Sequence, residues 1–501
     1  KAQADQLLQQ GIEQFQIGQL EAALQSWQQA LIIYQQLQDR SGERAALGGL
    51  GNAYLFLGDY AKAIDYSQQS LAIAKETQNR VGEGWVLMNL GLAYSDLGDY
   101  ERAIEYQQQS LAIAQELNNR KGEGDALGSL GYAYQAIGNY ARALKCYQQS
   151  LAIAREIQDR QAERTALGNL GNTYRYLGDY AKAIEYHEQS LAITLELQDR
   201  QGEGVALRGL GIAHYYLGNY ARAIEYYQQG LTIAREIKDR KGEGIALGFL
   251  GLAYLFLGDY VKAIEYQQQS LNLAREIKYP QGEGNALGNL GLAYLFLGDY
   301  PKAIEYEQQW LTLARKINSR NDQGKALGNL GTAYYSLDDY AKAIEYFQQS
   351  LTIVQEIKDR QSEATILGNL GNAYWKLGDY TRAIDYNEKR LAIAREIKDR
   401  QGEGQSLVNL GIVYSSLEDY AKAIDYYQQS LTISREIKDR RAEGITLNNL
   451  GNALFKSNQL AAAEKILFEG IQLWESLRAG LPSNDPNKVS IFEEQARTYR
   501  T

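Results

Sequence analysis

The sequence predicts an all-α chain, a solenoid of about twelve helical hairpins of 40 residues each. Three observations predict it. A Leu-Gly pair recurs every 40 residues from 50–51 to 450–451 without insertion or deletion, and Gly11 heads a degenerate earlier copy. Apolar residues within each period follow a three-or-four spacing, which makes a helix stripe. The 501 residues hold only four prolines, so long helices go uninterrupted.

Each period divides into two helices. The first runs from about Arg40 to Leu57, with Leu47, Leu50, Tyr54 and Leu57 on one face. Asp39 and Glu43 put acceptors and negative charge at its start. "GDY" at 58–60 breaks it, with Gly58 suited to the C-terminal cap. The second runs from about Tyr60 to Thr77, with Ala63, Tyr66, Leu71 and Ala74 facing inward. Pro301 falls at the first turn of such a helix, where its missing N–H costs nothing.

Two glycines within one turn need a reason, because each costs roughly 1 kcal/mol against alanine in a helix. In "LGNLGLAYLFLGDYPKAIEY" they are Gly288 and Gly291. Gly291 belongs to the repeated pair and is expected where the two helices of a hairpin cross. The place of Gly288 is taken in other copies by Met88, Arg208, Val408 and Asn448. That tolerance predicts an open position on an inner surface.

Bulk properties exclude several classes of function. The net charge is −9, which argues against nucleic acid as a partner, since that wants a basic surface. No apolar run is long enough to insert in a membrane. One cysteine, Cys146, forms no internal disulfide, and His187 and His214 match no metal spacing. No nucleotide-binding, zinc-peptidase or serine-hydrolase motif is present, so neither a catalytic residue nor a cofactor is expected. The "GEG" stretches recur at the repeat period and read as scaffold. Cys146 is expected to be a buried small residue. About thirty of the 39 tyrosines occupy the columns of Tyr54, Tyr60 and Tyr66 and are expected in the core. The composition points to a cytoplasmic protein. The chain starts at Lys1 and stops at Thr501 in helical-looking sequence, so it reads as a fragment whose upstream signal is not visible.

The pattern L-x-x-L-G-x-x-Y followed by A-x-x-Y resembles the tetratricopeptide repeat (TPR), with leucine where that family often has tryptophan. The 40-residue period is longer than usual and is similar to the kinesin-light-chain and Leu-Gly-Asn-repeat branch. The resemblance spans about residues 2–478 and implies a right-handed superhelix that binds a protein or peptide. It also implies that first helices line a concave groove, through positions six, three and two before the signature glycine and one, four and five after it.

On that implication the groove holds a row of asparagines, including Asn169, Asn172, Asn289, Asn329, Asn369 and Asn372. An amide both donates and accepts, so a row of them suits the backbone of an extended peptide. The middle repeats place Tyr215, Tyr216, Phe249, Leu252 and Phe256 in the groove, followed by Leu292 and Phe296. Basic groups there include Arg175, Arg208, Lys325 and Lys376, against Asp96 and Asp125 earlier in the chain. Positive charge set against an acidic background predicts an acidic or C-terminal carboxylate segment as ligand. Only fragments of the chaperone-binding carboxylate clamp occur, such as Lys325 with Asn329.

After residue 478 the period fails. Residues 479–488, "AGLPSNDPNK", read as a linker, and 489–501 as the start of a further, truncated helical segment. "AAAEKILFEGIQLWESLRAGL" with "NKVSIFEEQARTYR" resembles the segment that closes the array in bacterial, especially cyanobacterial, TPR proteins with a caspase-like CHAT peptidase domain. The reading is therefore a non-enzymatic interaction scaffold over 1–478, the sensing part of a larger CHAT-type protein. The alternatives are a free-standing adaptor of kinesin-light-chain type, or the substrate-recognition arm of an enzyme.

Overall fold

The computed structural model describes residues 1–479, and among them it contains twenty-four helices, from α1 (Ala2–Gln16) to α24 (Leu460–Ala479). They form two compact units, α1–α12 in Lys1–Asp239 and α13–α24 from Arg240 onward. Each unit stacks six hairpins. Within a unit every helix packs only on helices one or two places along the chain. The fold is an all-α helical-repeat solenoid. Of the linker expected at 479–488, Ala479 still belongs to α24, and the rest of it and the further segment lie outside the described residues.

Local chemistry sets the helix ends. In the first complete repeat α3 spans Arg40–Phe56 and α4 spans Tyr60–Glu76. The Asp39 carboxylate accepts from the Gly42 N–H at 3.0 Å, and Asp59 accepts from Lys62 at 3.2 Å. Leu57 and Thr77 fall just past the last helical residue, so the expected ends shift by one. Gly58 takes φ +77°, the left-handed conformation that closes the first helix. The turn between hairpins has the same conformation without glycine, as at Gln78, Lys358 and Lys398. Pro280 and Pro301 stand in first turns, as their missing N–H allows.

Packing across each hairpin rests on the signature glycine. A Cβ on Gly51 would lie 2.5 Å from Ser67 Oγ and 3.3 Å from the Ala63 carbonyl on the partner helix. A Cβ on Gly291 would lie 2.7 Å from the Glu307 carboxyl carbon. These contacts agree with a helix crossing.

Gly288 departs from expectation: it is buried, and a Cβ there would lie 2.9–3.2 Å from the Trp310 ring. At the site of Trp310 most repeats carry serine. A Cβ on Gly128 or Gly168 would meet nothing nearer than a serine Oγ at 3.8 Å. The column is therefore closed wherever a bulky neighbour reaches it, from the next helix as at Trp310 or from the following first helix, as Trp85 and Ile366 reach Gly48 and Gly328.

The tyrosine columns meet the expectation in part: Tyr94, Tyr134 and Tyr374 are buried in the core, while other members are half-buried. Tyr54 and Tyr66 are half-buried, and their rings stack at 5.5 Å with the Lys62 ammonium 4.9 Å from the Tyr54 ring. The same stack recurs at Tyr174 with Tyr186 and at Tyr294 with Tyr306. They brace the hairpin edge. Other buried tyrosines sit outside these columns, at Tyr147, Tyr227 and Tyr427. Cys146 is half-buried rather than buried.

Candidate functional site

The first helices present the expected groove positions in two sets, one in each unit. In the first unit α9 (Arg160–Tyr176) carries Asn169, Asn172 and Arg175, all half-buried. Next to it α11 (Arg200–Tyr216) carries Arg208 and Tyr215, half-buried, and Tyr216, half exposed. The Arg175 guanidinium lies 4.0 Å from the Tyr176 ring centre. Tyr216 stacks at 5.5 Å on Tyr180, the first residue of α10 (Tyr180–Glu196). Among the described residues no ion pair engages Arg175 or Arg208.

In the second unit α13 (Arg240–Leu257) carries Phe249 and Leu252, half-buried, and the exposed Phe256. Asn289 and Leu292 are half-buried on α15 (Pro280–Leu297), whose exposed Phe296 stacks on Tyr260 at 5.9 Å. Lys325 is exposed and Asn329 half-buried on α17 (Arg320–Ser336). On α19 (Arg360–Lys376) Asn369 and Asn372 are half-buried and Lys376 is exposed, its ammonium 5.0 Å from the Trp375 ring.

The asparagines do not all face outward. Asn329 donates its amide to Glu307 Oε1 at 2.9 Å, and Asn409 donates to Asn387 Oδ1 at 3.2 Å. Asn89 is buried. In Asn169, Asn289 and Asn369 the amide makes no hydrogen bond within the described residues and remains available.

The acceptors Glu307 and Asn387 belong to a column that the sequence reading passed over. It lies sixteen residues after the signature glycine, on the second helix of each hairpin. Its occupants include Ser67, Gln107, Tyr147, His187, Tyr227, Glu307, Phe347 and Asn387, and every one of them is buried. Chemically diverse residues at a buried place in otherwise near-identical helices were the available signal. Their side chains lie under the glycine of their own repeat and reach the next repeat's asparagine position.

Two members of this column are titratable and strongly perturbed. Burial holds His187 down at about 4, reinforced by the charges of Arg175 and Arg208. Burial raises Glu307 well above the usual carboxyl range, against the hydrogen bond from Asn329. On the groove positions, burial also raises Asp96 and Asp125 and lowers Arg208.

Among the described residues no group of three or more His, Cys, Asp or Glu could hold a metal ion, and no helix is long and apolar enough to cross a membrane. Open slots lie between consecutive first helices. One, of about 250 Å³, is lined by Trp85, Met88 and Ile113; another, of about 310 Å³, by Val408, Ile433 and Ile445.

A stack of two-helix units with a glycine at each crossing defines a helical-repeat binding protein. The particular family follows from comparison with known proteins. The tetratricopeptide repeat family model matches residues 8–76, 82–156, 161–236, 243–316, 322–396 and 403–476, and the chain belongs to that family. A second model of the same description matches 369–436. Its repeats make the chain a protein-interaction scaffold.

No curated protein matches the chain. Among solved structures it is similar to apo RapI, at 14% identity over 71% of this chain and 98% of that one, with TM-score 0.56. It is also similar to a signal transduction ATPase with numerous domains from Pyrococcus horikoshii that has a tetratricopeptide repeat sensor. There the identity is 14% over 88% of this chain and 74% of that one, with TM-score 0.52. A Podosopora anserina putative kinesin light chain with nearly identical TPR-like repeats shares 20% identity over 38% of this chain and 95% of that one. Its TM-score of 0.34 carries no argument. At these identities the likeness concerns the fold.

Proposed function

We propose that the first-helix faces bind an extended, acidic polypeptide segment, and that the chain senses this partner without performing chemistry on it. The observation that carries the reading is unopposed positive charge beside exposed rings. Arg175 and Arg208 have no ion-pair partner among the described residues in a chain of net charge −9, and Tyr216 offers an exposed ring on the same helix as Arg208. A bound carboxylate segment meets unpaired guanidinium groups there, and asparagine amides such as Asn169 are free to hold its backbone. The sensor of the Pyrococcus protein favours a role upstream of an effector domain. A caspase-like CHAT domain is the effector suggested by the resemblance of the last segment.

The test is binding of fluorescent 15-residue peptides, one rich in glutamate and one with glutamine in its place, at two salt concentrations. The acidic peptide is expected to bind more tightly and to weaken with salt. Replacing Asn169 and Asn172 by alanine should weaken both peptides, each lost hydrogen bond being worth about 0.5–1.5 kcal/mol. Equal affinity for the two peptides, or indifference to these substitutions, overturns the reading.

A further inference from the structure

Several members of the column under the signature glycines leave a polar atom unpartnered, Gln107 and Gln267 through Oε1 and Glu307 through Oε2, while His187 leaves both of its ring nitrogens so. Glu307 receives a hydrogen bond from Asn329, and Asn387 receives one from Asn409. His187 stands in the same place on α10, but its counterpart residue on α11 is Gly209. The imidazole is 3% exposed and is wedged between two glycines. A Cβ on Gly171 would lie 2.8 Å from its Nε2, and one on Gly209 would lie 2.5 Å from its Cε1. Both ring nitrogens are buried without a hydrogen-bond partner, and so is Arg175 Nε. Burying such groups unpaired is costly, so a missing partner at this spot calls for an explanation.

The surrounding charge says what kind of partner fits. The charged groups acting on His187 are Arg175 on α9 and Arg208 on α11, both positive. Arg208 is itself desolvated, and its one favourable charge interaction is with Asp239. Two guanidinium groups thus act on a neutral imidazole where sister repeats close the layer with an asparagine. An oxyanion accepts from all three.

We infer that Arg175, Arg208 and His187 form a carboxylate-binding subsite in the first unit, filled by an acidic side chain of the bound polypeptide. The inference rests on the acidic-ligand reading above and gives that ligand one fixed anchoring point. The site differs from the outer groove positions because its floor, His187, belongs to a second helix.

The full chain has two histidines, so His187 can be followed by proton NMR, with a His214→Tyr variant assigning the pair. The probes are succinate and the glutamate-rich peptide. Substitutions are copied from the chain's own repeats so that folding is kept: Arg175→Gln as at Gln135, and Arg208→Met as at Met88. His187→Ser with Gly209→Asn reproduces the pair Ser67 and Asn89. Circular dichroism checks each variant.

The expected result is that the peptide raises the His187 pKa from about 4 and binds more tightly as pH falls. Each arginine variant and the double variant should lose about tenfold or more in affinity, the scale of a charge-assisted hydrogen bond. If the peptide binds without moving His187 and the variants bind it equally, the subsite is overturned while the groove reading stands. If succinate shifts His187 and the peptide neither binds nor shifts it, a polypeptide source for the carboxylate and the groove reading both fall. Absence of any binding by either probe overturns both.

Discussion

Glu307 shows how one buried side chain can tie stability to pH. Its carboxyl lies under Gly291, accepts from Asn329, and leaves Oε2 without a partner. Burial keeps it protonated in the folded chain above the pH at which an unfolded glutamate ionises. The folded state then holds a proton that the unfolded state has lost, so stability falls as pH rises from the ordinary carboxyl range toward the folded pKa. Glutamine serves at this position elsewhere: Gln107 donates to the Met88 carbonyl at 3.0 Å and Gln267 to that of Gly248 at 2.8 Å. Glu307→Gln is therefore expected to raise the urea midpoint at pH 8 and flatten its decline from pH 5. Parallel pH profiles for wild type and variant would contradict this. Glycine substitution follows from the same packing layer. Gly291→Leu and Gly288→Leu should each cost roughly 1–3 kcal/mol by overpacking, against Glu307 and Trp310 respectively. Gly168→Leu, facing only Ser190 at 3.8 Å, should cost clearly less. Thermal melts of the three compare them directly.

Helix ends carry the next scale. An arginine opens most first helices and bridges two glutamates, as Arg360 does with Glu363 and with Glu396 at the far end of the hairpin. The pair with Glu396 faces solvent and contributes little, whereas Glu363 is buried. In the one hairpin where Pro280 replaces the arginine, Lys316 also replaces the glutamate. The caps offer clearer tests of opposite sign. Asp379 accepts from the Arg382 N–H at 3.0 Å, and Asp379→Ala should cost about 0.5–2 kcal/mol. Lys398 holds φ +58°, a left-handed conformation that disfavours any side chain with a Cβ. Lys398→Gly should stabilise by roughly 1 kcal/mol. Chemical unfolding of the two variants measures both, and a loss of stability in Lys398→Gly would show that this turn is held by its side chain. The caps Asp39 and Gly58 were legible in the sequence. Gln38 and Lys398 were not, because nothing in a glutamine or lysine marks a left-handed residue.

Across each unit, contacts reach no farther than two helices along the chain, so stability is approximately a sum over hairpins and their neighbour interfaces. Removing one full period should therefore leave a folded array. Deleting residues 321–360 joins Arg320 to Gln361 and presents Asn369 to Glu307 in place of Asn329. Helical content per residue by circular dichroism is expected to match that of the full chain. Aggregation, or loss of helical signal beyond the deleted share, would show that the second unit folds as an indivisible whole.

The hairpin, its 40-residue length, and the order of its helices were determined by the sequence alone. They rest on interactions within one period, and the period repeats with its leucines, alanines and glycines in place. Which side chain meets which, within a hairpin and across neighbouring repeats, was decided only by the tertiary structure. Trp310 closes the space over Gly288 from 22 residues away, and Asn329 reaches Glu307 over the same separation. His187 is wedged between Gly171 and Gly209, glycines of two successive hairpins. These meetings depend on how one helix lies against the next, and a column of residues in a repeat alignment carries no trace of that angle. The groove positions were expected from the family resemblance, whereas the buried column on the second helices became visible only once the helices were packed.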